Sequence, residues 1–243
     1  PDKFALLRSP RDVDRLRRGG RVLLPLGMEN GAPIGDDLGK LKFFFDRGVR
    51  YITLAHSANN RIADSSYAQE KKWNGLSPFG RDVVAEMNRL GMMIDVSHLS
   101  DAAVAQSVEL SRTPVVATHS ALRHFTPGFE RNLSDELAKA IAAKGGVIQI
   151  PFGNAFVDPA SAAKTQAYFV DYAQFERDRA AGTTTRLNVG PGGVESDGPI
   201  FDLDVSADAA RIVFEGYATT LVPGTSGQNE VYLIDRPSSS ISV

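Results

Sequence analysis

Residues 81–98 read RDVVAEMNRLGMMIDVSH and contain one complete unit of a pattern that repeats through the first 150 residues. Apolar residues recur at helical spacing from Val83 to Leu90, and Gly91 supplies a helix stop. An apolar run then leads directly to His98. The stretch therefore predicts an amphipathic helix, a tight turn and a buried strand that ends beside a histidine.

Three other strand-like runs in the first 120 residues end in the same manner. They lead to Glu29, His56 and His119, so three of the four histidines follow a predicted strand. In a parallel α/β barrel the carboxyl ends of all strands open on one face. These four side chains, although distant in sequence, are therefore predicted to converge.

Predicted helices alternate with predicted strands up to about residue 152. The predicted helices cover residues 9–18, 37–47, 81–90, 100–110 and 134–144, and the predicted strands cover 21–28, 49–55, 92–97, 114–118 and 147–150. Five strands that alternate with helices on mostly short connections indicate a parallel sheet with helical crossovers.

The character of the chain changes after about residue 155. Four short β-like runs, separated by turn residues, are predicted at Thr183–Val189, Phe201–Val205, Arg211–Phe214 and Glu230–Asp235. We therefore divide the chain into residues 1–172, an α/β domain, and residues 173–243, a small antiparallel β segment.

Composition excludes several classes of function. The chain has 243 residues, with 27 basic and 29 acidic side chains and no cysteine. No basic stripe marks a nucleic-acid partner, and no apolar stretch is long enough to span a membrane. Without cysteine, disulfides and thiolate metal sites are excluded, whereas the compartment is left open.

Glu29, His98 and His119 form a two-histidine, one-carboxylate set. This is a catalytic zinc ligand combination that leaves a coordination position for water. His56 at the same edge could donate a hydrogen bond to a developing oxyanion. The alternative for any single residue is a capped strand end or a hydrogen-bonded core histidine, but four such strand ends together favour a site.

Three further residues have simpler interpretations. Arg131 follows a Pro/Gly loop and could bind a carboxylate through a bidentate pair of hydrogen bonds. The alternative is a solvent-exposed arginine in a loop. His124 lies on no strand and is predicted to be exposed. Asp95 points away from His98 by strand alternation and is interpreted as structural. The sequence has no Gly-x-Ser-x-Gly motif for a serine nucleophile.

In these residues the chain resembles the membrane (renal-type) dipeptidase family of zinc peptidases. The resemblance extends over roughly residues 4–155 and keeps the family's order. The stretches that carry it are Gly27–Gly31, Gly48–His56, Gly75–Asp101, Pro114–Ser120, Arg131–Asn132 and Gly145–Ile148.

The resemblance implies a fold and a mechanism. The family is a TIM-type (β/α)₈ barrel that binds two zinc ions and hydrolyses dipeptides with a metal-activated water. By this resemblance Glu29 bridges both metals, and His98 and His119 hold the second zinc. His56 stabilises the tetrahedral intermediate, and Arg131 binds the dipeptide's C-terminal carboxylate. The chain is then a partial barrel with about five of the eight strands.

Two departures from the family predict impaired activity. The family's first strand carries a His-x-Asp pair that ligates the first zinc, and nothing before Glu29 supplies it. The family's last strand provides an Asp that transfers the proton. Asp197 is the only candidate for this residue here, and the sequence around it is a poor match to the family's motif. The sequence therefore predicts one retained zinc site.

The C-terminal segment resembles one TolB-like β-propeller repeat over roughly residues 175–243. Gly182–Val189 and Glu230–Arg236 are among the stretches that carry this resemblance. Asp197 is interpreted as part of the repeat. An exposed blade edge favours pairing with another chain, so the alternative function is a non-catalytic interaction module that assembles, for example as a homo-oligomer.

Overall fold

The computed structural model describes residues 3–17, 19–180, 200–205, 211–216, 230–235 and 240–242. The chain forms two compact units, residues 1–176 and 177–243. The predicted boundary at residues 172 and 173 stays a prediction. No helix in the described ranges has the length and apolar character needed to cross a membrane.

The first unit is built on parallel strands. A two-stranded parallel sheet comes first in the chain and consists of β1 (Phe4–Leu6) and β2 (Val22–Leu24). The main sheet has five parallel strands in sequence order, which are β3 (Leu26–Glu29), β4 (Val49–Thr53), β5 (Met93–Asp95), β6 (Val116–Ala117) and β7 (Val147–Ile148). The predicted five-stranded parallel sheet of a partial barrel is confirmed, and within the described residues the sheet does not close.

Helices connect these strands. Their bounds are α1 (Arg11–Arg17), α2 (Gly39–Asp46), α3 (Pro78–Leu90), α4 (Asp101–Leu110), α5 (Asp135–Ala143), α6 (Asn154–Val157) and α7 (Pro159–Ala180). Side chains at three of the helix starts accept a backbone N–H, as expected for N-caps, and these are Ser77, Ser100 and Ser134.

The core lies between the helices and the main sheet. Val83 and Met87 of α3 are fully buried, and they belong to the same apolar cluster as Ile52 of β4 and Ile94 of β5. Burying each such side chain stabilises the fold by about 1.5–3 kcal/mol. The apolar residues at helical spacing within residues 81–98 therefore pack α3 against the strands that carry the site.

The strand register aligns the site residues. Glu29, the last residue of β3, lies opposite Thr53 of β4, and Thr53 lies opposite Asp95 of β5. His98 and His119 follow their strands by two or three residues, in the loops beyond the same edge of the sheet.

Three local differences from the sequence prediction have simple causes. The predicted strand 21–28 is two strands, because Pro25 between them has no N–H to donate to a ladder. Helix α3 begins at Pro78 rather than Arg81, since Ser77 caps it and proline suits the first helical position. Strand β1 was not predicted, and its three residues are too few to show periodicity.

The second unit contains a four-stranded antiparallel sheet. Its strands are β8 (Ile200–Val205), β9 (Arg211–Gly216), β10 (Glu230–Asp235) and β11 (Ser240–Ser242), each paired with the next along the chain. The predicted small antiparallel segment is thus observed, with β11 as an additional strand. The predicted strand Thr183–Val189 and the residue Asp197 lie outside the described residues.

Candidate metal centre

Three of the predicted site residues meet at the carboxyl edge of the main sheet. The Glu29 Oε1 atom lies 2.9 Å from His119 Nε2 and 3.1 Å from His98 Nε2. The two histidine Nε2 atoms are 2.8 Å apart. Two imidazole nitrogens and one carboxylate oxygen therefore lie within 3.1 Å of one another, close enough to be candidate ligands of one metal ion.

His98 is the most buried member of this group. Its side chain is 8% exposed, and its backbone adopts a left-handed φ of 68°, which is uncommon for a residue with a Cβ. Burial, reinforced by the nearby Arg131 cation, lowers the pKa of His98 to about 2. His98 is therefore neutral at physiological pH, as a metal ligand must be.

His119 is held by its neighbours. Its Nδ1 atom lies 2.8 Å from the Thr118 hydroxyl, and its backbone N–H donates to the Ser97 hydroxyl at 3.1 Å. Burial, followed by the charge of Arg131, lowers the pKa of His119. Both candidate histidine ligands thus favour the neutral form that can donate a lone pair.

His56 lies beside the same group but is less closely placed. Its Nε2 atom is 3.4 Å from Glu29 Oε1, and its ring stacks on His98 with centroids 4.1 Å apart. Glu29, His56 and His98 also offer three donor atoms within 4.8 Å of one another. We favour His119 as the third ligand because its Nε2 atom lies 2.9 Å from Glu29, against 3.4 Å for His56, and 2.8 Å from His98 Nε2.

Arg131 is a buried cation whose hydrogen-bond donors are only partly satisfied. It is 2% exposed, and its Nη1 atom donates to the Ser120 hydroxyl at 2.7 Å. Its Nε and Nη2 atoms are buried without a well-formed hydrogen bond among the described residues, and the nearby Tyr67 hydroxyl interacts with the guanidinium. Burial lowers the pKa of Arg131 to about 10, so the group stays charged at neutral pH. The solvated-loop alternative for Arg131 is therefore wrong.

The loop that carries Arg131 is fixed by two ion pairs. Arg123 binds both carboxylate oxygens of Asp101, the first residue of α4. Lys71 donates to Glu130, immediately before Arg131, at 2.7 Å. These contacts tie the loop between residues 123 and 131 to two other segments of the first unit.

The structure agrees with the two remaining sequence interpretations. His124 is exposed and lies in a short 3₁₀ turn. Asp95 is fully buried and accepts hydrogen bonds from residues on both neighbouring strands or their loops, which suits a structural carboxylate.

Several contacts of the site were not predicted. Ser57 lies 2.8 Å from His56 Nδ1, and Ser120 accepts from Arg131. A serine one or two residues after each strand-end histidine was the available signal for both. Tyr67, whose ring stacks on Phe169 with centroids 3.8 Å apart and lies 6.0 Å from the His98 ring, had no such signal.

Comparison with known proteins gives related sequences. The chain is 36% identical over 151 residues to dipeptidase tcpJ of Claviceps purpurea, covering 62% of this chain and 35% of that protein. It is 35% identical over 178 residues to dipeptidase verJ of Clonostachys rogersoniana, covering 73% and 45%. The chain thus spans less than half the length of these curated relatives.

Solved structures show the same similarity. The probable dipeptidase PvdM of Pseudomonas aeruginosa matches with a TM-score of 0.63 and 39% identity, covering 65% of this chain and 41% of that one. A metallo peptidase of Rhodobacter sphaeroides, solved with a phosphinate mimic of the dipeptide L-Ala-D-Ala, matches with a TM-score of 0.61 and 27% identity, covering 70% and 52%.

The family-level match covers most of the chain and all of the candidate site. It extends over residues 1–183 and corresponds to the membrane dipeptidases, peptidase family M19. The matched region includes Glu29, His98, His119 and Arg131. The family match and the observed grouping of these side chains are therefore consistent with each other. The chain belongs to the membrane dipeptidase family of metallopeptidases.

Proposed function

We propose that this chain is a zinc-dependent dipeptidase in which Glu29, His98 and His119 hold the metal. The observation that carries the proposal is the convergence of their donor atoms, all within 3.1 Å of one another. Relatives named as dipeptidases support the choice of substrate.

The donor set fits zinc in geometry and in protonation. Zinc bonds of about 2.0–2.2 Å at tetrahedral angles place ligand atoms about 3.3–3.6 Å apart. The observed separations are 2.8–3.1 Å, so the side chains need to open by only a few tenths of an ångström. The lowered pKa of His98 and of His119 keeps both rings free to bind a cation.

Bound zinc supplies Lewis-acid chemistry, lowering the pKa of water toward neutrality and polarising a carbonyl. The side chains around it orient the substrate. Two buried donor atoms of Arg131 lack a well-formed hydrogen bond, although Tyr67 lies nearby, and unsatisfied buried donors are costly. We assign these donors to the terminal carboxylate of the dipeptide, which they can bind side-on.

His56 is assigned the role of oxyanion donor. Its Nε2 atom faces the site, while its Nδ1 atom contacts the Ser57 hydroxyl at 2.8 Å. If Ser57 donates to Nδ1, the proton of His56 resides on Nε2, where it can stabilise negative charge on the carbonyl oxygen. Ser57 would then set the tautomer that catalysis needs.

We further propose that this stretch of chain, taken alone, binds one zinc ion and hydrolyses dipeptides slowly. The sequence ahead of Glu29 contains no histidine, so a second ion lacks the His-x-Asp ligands expected for the family. A two-metal clamp stabilises both the attacking and the leaving atoms, and one ion does this less well.

Metal analysis and hydrolysis assays test both proposals. The purified protein, stripped with a chelator and reloaded, should bind one zinc per chain and cleave L-Ala-L-Ala or L-Ala-D-Ala. The His119→Ala variant should lose zinc, whereas the His124→Ala variant, altered at an exposed histidine, should retain it. Two tightly bound zinc ions would exclude the one-site proposal, and no bound zinc would exclude the metal-dependent function.

A second candidate function, non-catalytic assembly through a propeller-like repeat, is favoured by one observation. Among the described strands, β8 and β11 each pair with a single neighbour, so within that part of the chain the antiparallel sheet has two edges. Such edges pair readily with another chain, including a second copy. Gel filtration of the chain with and without this segment distinguishes the two functions.

A further inference from the structure

The buried carboxylate of Asp95 gathers four hydrogen-bond donors behind the candidate metal centre. Its Oδ1 atom accepts the backbone N–H groups of Ser97 and Thr118, both at 3.0 Å. Its Oδ2 atom accepts the hydroxyls of Thr53 and Thr118, the latter at 2.7 Å. An ionised carboxylate is an acceptor only, so each of these groups donates to it.

The hydroxyl of Thr118 has a single proton, and that proton is used on Asp95. Toward His119 Nδ1, which lies 2.8 Å away, the same oxygen therefore presents a lone pair. The proton of the imidazole then belongs on Nδ1, and Nε2 is left unprotonated where it faces Glu29 and His98. This is the tautomer that binds a metal through Nε2.

We propose that Asp95 and Thr118 are positioning residues that fix His119 in its metal-binding tautomer. Groups behind the ligands of a metal site act in this manner by orienting the ring and raising its basicity. The inference rests on the proposed metal site and adds to it two residues that touch neither metal nor substrate.

The chain of hydrogen bonds from Asp95 through Thr118 to His119, which we call the relay, acts on only one of the two histidine ligands. His98 Nδ1 is buried and has no hydrogen-bond partner among the described residues. The orientation of the His98 ring is set instead by burial and by stacking on His56. Removing the Thr118 hydroxyl should therefore weaken the site through His119 alone.

Thr53 provides a matched control. Its hydroxyl donates to the same Asp95 oxygen as the Thr118 hydroxyl, and its side chain is fully buried. Unlike Thr118, it has no contact with His119 in the described hydrogen bonds. If the role of the threonines is only to satisfy Asp95, Thr53→Val and Thr118→Val should have the same effect on the metal site.

The test is zinc affinity, measured by competition with a chromogenic chelator, in the full chain and three threonine variants. Thr118→Val should weaken zinc binding about 10- to 100-fold. Thr118→Ser, which restores the hydroxyl, and Thr53→Val should bind within about threefold of the parent. Thermal unfolding of the metal-free proteins checks that the two valine variants lose similar stability.

Asp95→Asn hardly changes the shape of the side chain at this position, and it tests in which direction the Thr118 hydroxyl donates its proton. Its amide would donate to the Thr118 hydroxyl, whose proton would then turn to His119 Nδ1 and impose the opposite tautomer. Zinc affinity should fall at least as far as in Thr118→Val, and long-range ¹H–¹⁵N spectra of the metal-free variant should show His119 protonated on Nε2.

The outcomes separate this inference from the proposed function. If the parent binds zinc and Thr118→Val or Asp95→Asn binds it equally well, the relay is wrong while the metal site stands. If Thr53→Val weakens binding as much as Thr118→Val, packing around Asp95 explains the effect and the relay is again wrong. If the parent binds no zinc, the proposed function itself fails.

Discussion

At the scale of single residues, His98 combines three features that each cost stability. It is buried, it adopts a left-handed φ of 68°, and its Nδ1 atom has no hydrogen-bond partner among the described residues. Unfavourable conformations of this kind persist where function requires them. The geometry at His98 is therefore better explained by its contact with Glu29 and His119 than by packing.

Burial of His98 predicts how the metal-free protein responds to acid. The folded-state pKa of about 2 lies below the ordinary value of 6.5, so the unfolded chain binds this proton first as pH falls. Stability should decrease below about pH 6.5, by up to about 1.4 kcal/mol per pH unit. Urea unfolding with a chelator present, at pH 7 and pH 5, measures this.

The control for the acid response is a second histidine. His98→Gln should lose clearly less stability between pH 7 and pH 5 than the parent, whereas His124→Gln, altered at an exposed site, should behave as the parent does. Equal losses in the parent and in His98→Gln would show that other groups dominate the acid response.

Arg131 predicts a defect in substrate binding that depends on the substrate's carboxylate. Arg131→Lys keeps a cation but loses the planar fork of donors. KM for a free dipeptide should rise about 10- to 100-fold, as expected for a lost charged hydrogen bond of about 1.5–3 kcal/mol. Steady-state kinetics and zinc content should be measured together, since zinc content should not change.

An amidated dipeptide supplies the matched comparison for Arg131. Because it lacks the terminal carboxylate, the parent and Arg131→Lys should hydrolyse it with similar kcat/KM. A variant that is equally impaired on both substrates would show that Arg131 acts through the fold or the metal rather than on the carboxylate.

At the scale of elements, the site depends on how loops are fixed beyond the sheet edge. The ion pairs of Arg123 with Asp101 and of Lys71 with Glu130 hold the loop that presents Arg131. Arg123 also donates to the backbone carbonyl of Asn132 at 2.7 Å. Arg131 is therefore positioned by contacts on both sides of it.

Arg123→Met should raise KM for a dipeptide about 3- to 10-fold, because the loop loses its attachment to α4 while Arg131 itself is retained. Lys42→Met removes an exposed ion pair with Asp46 in α2 and should leave KM unchanged, since such pairs contribute little. An unchanged KM in Arg123→Met would show that the remaining contacts, those of Lys71 with Glu130 and of Arg131 with Ser120, are enough to hold Arg131 in place.

The elements show which parts of the fold could be predicted from the sequence. Gly91 ends α3 in the left-handed conformation with φ of 75°, and Ser100 caps α4, as their residue types predict. Glu29, His98 and His119 could be grouped because parallel strands end at one edge. The positioning contact from Thr118 could not, since it depends on side-chain direction in a loop.

At the scale of the whole molecule, the chain divides between a unit that carries the site and a unit that carries a separate sheet. The strands β3 to β7 and the proposed ligands lie within residues 1–176, and β8 to β11 lie within residues 177–243. The family match ends at residue 183, just beyond helix α7. The proposed metal ligands and Arg131 all lie before that point.

Residues 1–183 alone should accordingly retain the zinc site. This truncation keeps α7 whole and every contact described around Glu29, His98 and His119, so zinc affinity and dipeptide hydrolysis should stay within about twofold of the full chain. Circular dichroism establishes that the truncated chain is folded. Gel filtration of both proteins at equal concentration measures whether residues 184–243 mediate assembly.

A folded truncation that fails to bind zinc would contradict the independence of the first unit. Loss of an oligomer on truncation, with zinc-dependent hydrolysis absent from both proteins, would instead favour the interaction module.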